Sequence, residues 1–324
     1  MLSPMLAGAT GIPPDPSGWV FEPKWDGVRL VARCWSGGLA LASRRGNDVT
    51  AAYPELVSLS RALAPRAAVI DGEVVAFDDQ GRPSFERLQR RMHARHPSSS
   101  LMAEVPVLYV AFDLLWLDGH LLTDEPLTER RRRLQELGDG GPGWQLSPMF
   151  QGAPDEDRMA ACRKVGLEGY VGKVAASPYV VGRRSTAWTK IKCVRRREFV
   201  VGGWSEGAGG RSGKIGSLAI GWVDPEASPP PGQPFALSYA GQVGSGLNDL
   251  LLHRLGTVFA EQASDVNPFV GATATPALHF VRPTVVVEVQ FNQVTRAGLL
   301  RQPSIKGLRD DVDPAEVGWT DELG

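Results

Sequence analysis

The change of pattern at Arg195-Arg196-Arg197 limits what this chain can fold into more than any other feature. Upstream, from Trp19, short β-rich runs alternate with helix-like segments. Downstream, apolar runs are separated by glycine clusters, with one helix-like stretch. A single layered core rarely accommodates two such styles, and 324 residues exceed the usual size of one domain, about 100 to 200 residues. The sequence therefore divides into residues 1–196 and 197–324.

In the first part, strands are predicted at Val28–Cys34, Leu39–Ser43, Ala68–Phe77, Val107–Leu117, Val171–Ala175 and Thr189–Lys192, and helices at Pro54–Leu63, Phe85–Arg91, Leu127–Leu137 and Asp155–Val165. This is an α+β domain. In the second part, strands are predicted at Phe199–Trp204, Ser217–Val223, Phe235–Val243 and Thr284–Phe291, with a helix at Leu247–Gln262 and a surface loop at Pro225–Pro234. Several short strands and one helix suit a small β-barrel of the oligonucleotide-binding (OB) kind.

The apolar runs fall short of the eighteen or so residues a membrane helix needs, and the N-terminus has no cationic-then-apolar leader, so a soluble, cytoplasmic chain is expected. Cys34, Cys162 and Cys193 are too few and too scattered for a zinc site or a disulfide framework, and they read as buried thiols. The formal charge of −1 excludes a uniformly basic surface, so any polyanion site must be local. The halves differ: residues 1–196 carry 26 − 22 = +4, and residues 197–324 carry 9 − 14 = −5.

Of 35 basic residues only seven are lysine: Lys24, Lys164, Lys173, Lys190, Lys192, Lys214 and Lys306. Arginine stays charged, whereas lysine can lose its proton and attack as an amine, so the rare lysines mark positions where arginine does not serve. Lys24 lies between apolar residues in Phe21-Glu22-Pro23-Lys24-Trp25-Asp26-Gly27-Val28-Arg29, just before a predicted strand. With an ordinary pKa of about 10.4, it needs desolvation or neighbouring cations to become a nucleophile near neutral pH.

That segment resembles the first motif, Lys-x-Asp-Gly-x-Arg, of the covalent nucleotidyltransferases, the superfamily of polynucleotide ligases and capping enzymes. Further segments resemble the companion motifs in order: Ser43-Arg44-Arg45-Gly46-Asn47, Asp71-Gly72-Glu73-Val74-Val75, Val110-Ala111-Phe112-Asp113-Leu114-Leu115, Glu168-Gly169-Tyr170-Val171-Gly172-Lys173 and Trp188-Thr189-Lys190-Ile191-Lys192. Leu299-Leu300-Arg301-Gln302-Pro303 through Lys306-Gly307-Leu308-Arg309-Asp310-Asp311 resembles the last. Singly, each reads as core, a turn or a charged surface; the first six, matched in order and in context, do not. Within the superfamily, Met5-Leu6-Ala7, Arg183-Arg184 and Gly202-Gly203-Trp204 are most similar to short bacterial ATP-dependent DNA ligases, including the ligase modules of end-joining systems.

The resemblance implies an ATP-grasp-like nucleotidyltransferase domain followed by an OB-fold domain. It implies that Lys24 carries a covalent adenylate and that ATP is bound by Glu22, Arg29, Arg44, Glu73, Phe112, Lys190, Lys192 and Arg309. Phe112 would stack on the purine, and Arg309 with Asp311 would orient the departing pyrophosphate. Glu73 and Glu168 would hold Mg²⁺, with Mn²⁺ as an alternative. The adenylate would pass to a 5′-phosphate and be displaced by a 3′-hydroxyl, sealing nicked duplex DNA in repair by a monomer that works with end-joining or repair proteins. Relatives usually carry a lysine or arginine where this chain has Val312, which puts one triphosphate contact in doubt.

DNA affinity is expected from arginines of the first domain: Arg33, Arg45, Arg87, Arg90, Arg91 and Arg95, the last four grouped with His93 on or beside a helix and weighed against a solvated basic face. Arg130 to Arg133 is read as solvated. Three rivals share the lysine motif: an RNA ligase, a capping-type guanylyltransferase, and an inert nucleic-acid clamp of the same fold.

Overall fold

The computed structural model describes residues 2–92, 94–207, 213–270, 278–295 and 297–319. The chain separates into two compact units, Met1–Cys193 and Val194–Gly324. His93 lies outside the described residues.

The first unit holds two sheets. The larger runs Gly38–Ser43, Val28–Trp35, Ala68–Ala76, Val107–Leu117, Trp144–Leu146 and Gly140–Gly141 in spatial order, with His120–Leu121 also paired to Val107–Leu117. The smaller runs Leu6–Thr10, Arg184–Lys192, Gly169–Val174, Trp19–Lys24 and Phe150–Gln151, antiparallel except for the parallel first pair. Val107–Leu117 is apolar along almost its whole length because it is covered on both faces. Tyr109 and Ala111 enter a core with Leu56, Leu59 and Leu134, whereas Phe112 and Leu115 pack with Met5, Ala7, Tyr179 and Trp188.

Two strands at the functional end escaped the sequence reading. Leu6–Thr10 and Trp19–Lys24 are both paired, so Lys24 ends one strand instead of merely preceding the next. Pro23 weakens the strand signal there, yet it sits in the ladder opposite Tyr170. The short helix Ser99–Glu104, capped by Ser98, was also unread. The predicted Pro54–Leu63 helix is a 3₁₀ turn, Pro54–Leu56, followed by the α-helix Val57–Leu63.

Three sequence expectations are corrected. Cys162 and Cys193 form a disulfide with Cα atoms 6.5 Å apart, so among the described residues only Cys34 is a free buried thiol. Scattered in sequence, the two are brought together because the helix Glu156–Lys164 packs beside the residue following Arg184–Lys192. Arg91 is fully buried and donates to Glu55, Val105 O and Ala52 O, which removes it from any DNA-facing surface. Arg130 and Arg131 are buried, not solvated. Arg130 grips the fully buried Asp113 through Nε (2.7 Å) and Nη2 (2.9 Å), and Arg131 donates to Ser147 O. Losing either member of the Arg130–Asp113 pair would leave a buried charge uncompensated.

In the second unit the strand order is Ala263–Ser264, His279–Phe291, Arg195–Glu206, Ile215–Val223, Leu237–Val243 and Phe269–Val270, with Ser304–Leu308 also paired to His279–Phe291. The helix Asp249–Glu261 is capped by Asn248 and turns Leu251, Leu255 and Phe259 into the core, one face at a spacing of four. Val312 packs against an apolar cluster that includes Val200, Leu237 and Val317. Its side chain thus has a packing role where relatives are expected to carry a cation.

Candidate active site

The ladder of the smaller sheet sets the position of Lys24. Lys24 lies opposite Gly169, and Gly169 opposite Lys192 on its other side, so three motif segments meet at one end of the sheet. Gly169 has φ +150°, and a Cβ there would come within 2.0 Å of Ile191 O. Only glycine permits this approach, which places the preceding Glu168 against Lys24. The Lys24 ammonium and the Glu168 carboxylate form an ion pair, with side chains 17% and 14% exposed. Gly27 plays the equivalent part on the other sheet: a Cβ would meet Val74 O at 2.1 Å, and its absence lets the turn after Lys24 close on the strand that carries Glu73.

A cavity of about 230 Å³ is lined by Lys24, Glu22, Arg29, Arg44, Glu73, Phe112 and Lys190, all of which the sequence marked. Lys173, Trp188, Trp25, Leu6 and Ala7 complete most of the wall. Lys192 is exposed and does not line it; it stands two residues beyond Lys190 on the same strand. Glu168 does not line the cavity and meets it through its ion pair with Lys24. Arg309 belongs to the other unit, where Nε and Nη2 donate to Asp311 (both 2.9 Å) and Nη1 to Glu198, so carboxylates hold its guanidinium. The exposed Asp311 carboxyl is lowered to about 2 by its bonds from Arg309.

Lys24, Arg29, Arg44 and Lys190 bring four cations to this cavity beside the Glu22 and Glu73 carboxylates. Burial pushes the Glu73 carboxyl up to about 8, against the pull of Arg29 and Lys24. Burial also lowers the Lys190 ammonium, and Lys24 adds to the effect as a like charge. Arg29 stays cationic in spite of burial because Asp71 accepts from its Nε (3.0 Å) and Nη2 (2.6 Å). Its guanidinium lies 5.2 Å from the Phe112 ring centre and 5.4 Å from that of Trp188.

The cavity wall contains a pair of which the sequence marked Glu22 as a nucleotide contact and Lys173 only as a motif member. Glu22 and Lys173 form an ion pair with side chains 4% and 3% exposed, and the Lys173 ammonium stands 4.5 Å from the Phe112 ring centre. Burial lowers the Lys173 pKa well below its ordinary value. Glu22 Oε2 is buried with no hydrogen-bond partner among the described residues. A buried acceptor left open in a cavity wall suits a donor on a bound molecule.

Two family models match this chain: the ATP dependent DNA ligase domain over residues 4–192, and the ATP dependent DNA ligase C terminal region over residues 211–312. The multifunctional non-homologous end joining protein LigD of Mycolicibacterium smegmatis is 38% identical over 304 residues, 93% of this chain and 37% of the relative. The Pseudomonas aeruginosa protein of the same name is 36% identical, over 98% of this chain and 36% of the relative. The chain thus spans less than two-fifths of the length of these relatives. The crystal structure of the ligase domain from M. tuberculosis LigD superposes with TM-score 0.55 at 35% identity, covering 98% of both chains. A mycobacterial DNA ligase D complexed with ATP matches with the same score and identity over 98% of this chain and 97% of that one. The chain belongs to the ATP-dependent DNA ligase family.

Proposed function

We propose that this chain seals 5′-phosphate/3′-hydroxyl nicks in duplex DNA through a lysyl-adenylate on Lys24. The observation that carries the reading is the meeting, at one cavity, of Lys24 paired to Glu168, the cations Arg29, Arg44 and Lys190, and a wall formed by Phe112 and Trp188. In the first step Lys24 Nζ bonds to the α-phosphorus of ATP, pyrophosphate leaves, and the amine gives up a proton. Lys190 and Arg44 would neutralise the charge that gathers on the α-phosphate, and Lys192, two residues beyond Lys190, would meet the phosphates beyond it. The adenylate then moves to the 5′-phosphate, and the 3′-hydroxyl displaces AMP.

Glu73 and Glu168 supply hard oxygen donors, and desolvation disfavours the charge on the half-buried Glu73 in spite of Arg29 and Lys24, so these carboxylates suit Mg²⁺ or Mn²⁺ completed by water and phosphate oxygens. Such an ion would supply charge neutralisation at the phosphates. We assign the second unit, with its long bulged strands and the helix Asp249–Glu261, to an OB barrel that clamps the duplex. Of the DNA candidates, Arg33, Arg45 and Arg95 are exposed on the first unit for phosphate contact, whereas Arg87 and Arg90 are bonded to Asp79 and Glu104. No helix among the described residues is long and apolar enough to cross a membrane. End-joining proteins as partners, a monomeric state and a cytoplasmic location complete the proposal.

Glu22 and Lys173 favour adenine. Adenine presents an amino donor at position 6 and an acceptor at N1, which match Glu22 Oε2 and the Lys173 ammonium; guanine reverses both. The double variant Glu22→Gln/Lys173→Met removes both charges together. It should lower the preference for ATP over GTP in self-adenylation by about tenfold or more, the worth of one to two buried hydrogen bonds. Phe112→Leu keeps apolar volume but loses the ring, and should raise the KM for ATP by the ~0.5–1.5 kcal/mol of an aromatic contact. Unchanged KM would remove Phe112 from the base platform. Sealing of a labelled nicked duplex with ATP and Mg²⁺, compared with nicked RNA and with GTP, separates a DNA ligase from an RNA ligase, a guanylyltransferase and an inert clamp.

A further inference from the structure

Tyr179 lies outside the cavity lining, in the link between the strands Gly169–Val174 and Arg184–Lys192, and its side chain is buried. Its hydroxyl joins two parts of the cavity wall that are far apart in sequence. It accepts from the Met5 backbone N–H at 2.8 Å and donates to Asp71 Oδ2 at 2.5 Å. Met5 precedes Leu6 and Ala7, which line the cavity on the strand Leu6–Thr10. Asp71 is fully buried, and its two oxygens take Nε and Nη2 of Arg29, which also lines the cavity.

A carboxylate with two parallel arginine bonds is fixed in the plane of the pair but can still tilt out of it. The tyrosine hydroxyl, arriving at Oδ2 from a third direction, fixes the carboxylate and with it the guanidinium. The ring is held in turn, edge-on to Trp188 at 5.8 Å and beneath the Arg130 guanidinium at 5.7 Å. The Tyr179 N–H donates to Thr123 O at 2.7 Å, so the backbone has no freedom to carry the hydroxyl away.

We propose that Tyr179 is a positioning residue for nucleotide binding, setting the orientation of Arg29 through Asp71 and locking the N-terminal strand against the same cavity. The proposal rests on the reading of Arg29 as a nucleotide contact. Asp71 and Tyr179 hold Arg29 through contacts of the fold itself, so the contribution belongs to binding more than to the chemical step.

Tyr179→Phe tests it, because the ring contacts survive and only the hydroxyl goes. Wild type and variant are compared for thermal unfolding and for the rate of self-adenylation against ATP concentration. The expected result is a folded variant whose KM for ATP rises about tenfold, with kcat within a factor of about two, the loss of one buried charge-assisted hydrogen bond. Asp71→Asn, which leaves the tyrosine in place, should raise KM in the same sense and carries the test if the first variant misfolds. Adding Tyr179→Phe to Arg29→Lys should bring little further loss, because both act through one guanidinium. An unchanged KM, a fall confined to kcat, or a full multiplication of the two effects would overturn the proposal. Absence of any covalent adenylate in the wild type would instead overturn the functional reading on which it rests.

Discussion

Lys24→Arg is expected to form no covalent adenylate with ATP at any pH, and to seal nicks at less than about a thousandth of the wild-type rate, the scale of losing a covalent nucleophile. The substitution keeps a positive charge and can keep the bond to Glu168, so folding and nucleotide binding should survive. What is lost is a lone pair, because a guanidinium does not deprotonate in the range where the protein is folded. The variant should still join a nick supplied with its 5′-adenylate already attached, since Lys24 forms no bond in that step. A labelled protein band from Lys24→Arg after denaturing electrophoresis would sink the assignment.

Glu168→Ala should carry the second-largest effect. Glu168 is the partner of the Lys24 ammonium and one of the two proposed metal anchors. Its removal frees the nucleophile to turn away from the phosphate and halves the carboxylate set. Self-adenylation should slow by about 10² to 10³, comparable to losing one preorganised electrostatic group, with KM for ATP little changed. Glu168→Gln, which can still accept from Lys24 but lacks the charge, should recover part of the rate if orientation matters and none if metal binding is the whole effect. Adenylation kinetics indistinguishable from wild type in the alanine variant would remove Glu168 from the site.

Much of this site was readable because its chemistry restricts residue choice. A nucleophilic amine must be lysine, the turn that meets Val74 O must be glycine, and the Glu168-Gly169 pair needs a residue without a side chain. The cavity accordingly gathers seven of the marked residues, Lys24 among them. Lys192 and Arg309 were marked by the same resemblance; Lys192 is exposed at the sheet end, and Arg309, in the second unit, is held there by Asp311 and Glu198. Val107–Leu117 was readable because it is covered on both faces, and Trp19–Lys24 was not because Pro23 interrupts the signal.

The misread arginines have a common cause. Arg91 and Arg130 find their carboxylates at Glu55 and Asp113, 36 and 17 residues away. A helical pattern of arginines does not reveal a partner on another element, so a buried ion pair looks the same as a solvated face. Tyr179 escaped for a similar reason: its value lies in bonds to Met5 and Asp71, 174 and 108 residues away. Lys173 fell inside a motif, but its pairing with Glu22 depends on the ladder register that sets the two strands side by side.

The most direct measurement is to incubate the chain with ATP and Mg²⁺, digest it, and locate the added AMP by mass spectrometry under conditions that preserve a phosphoramidate. The expected result is a single adenylated peptide spanning Glu22 to Arg29, modified at Lys24, formed with ATP in strong preference to GTP. AMP on Lys173, Lys190 or Lys192, or no covalent AMP in a protein that nevertheless seals nicks, would contradict the account.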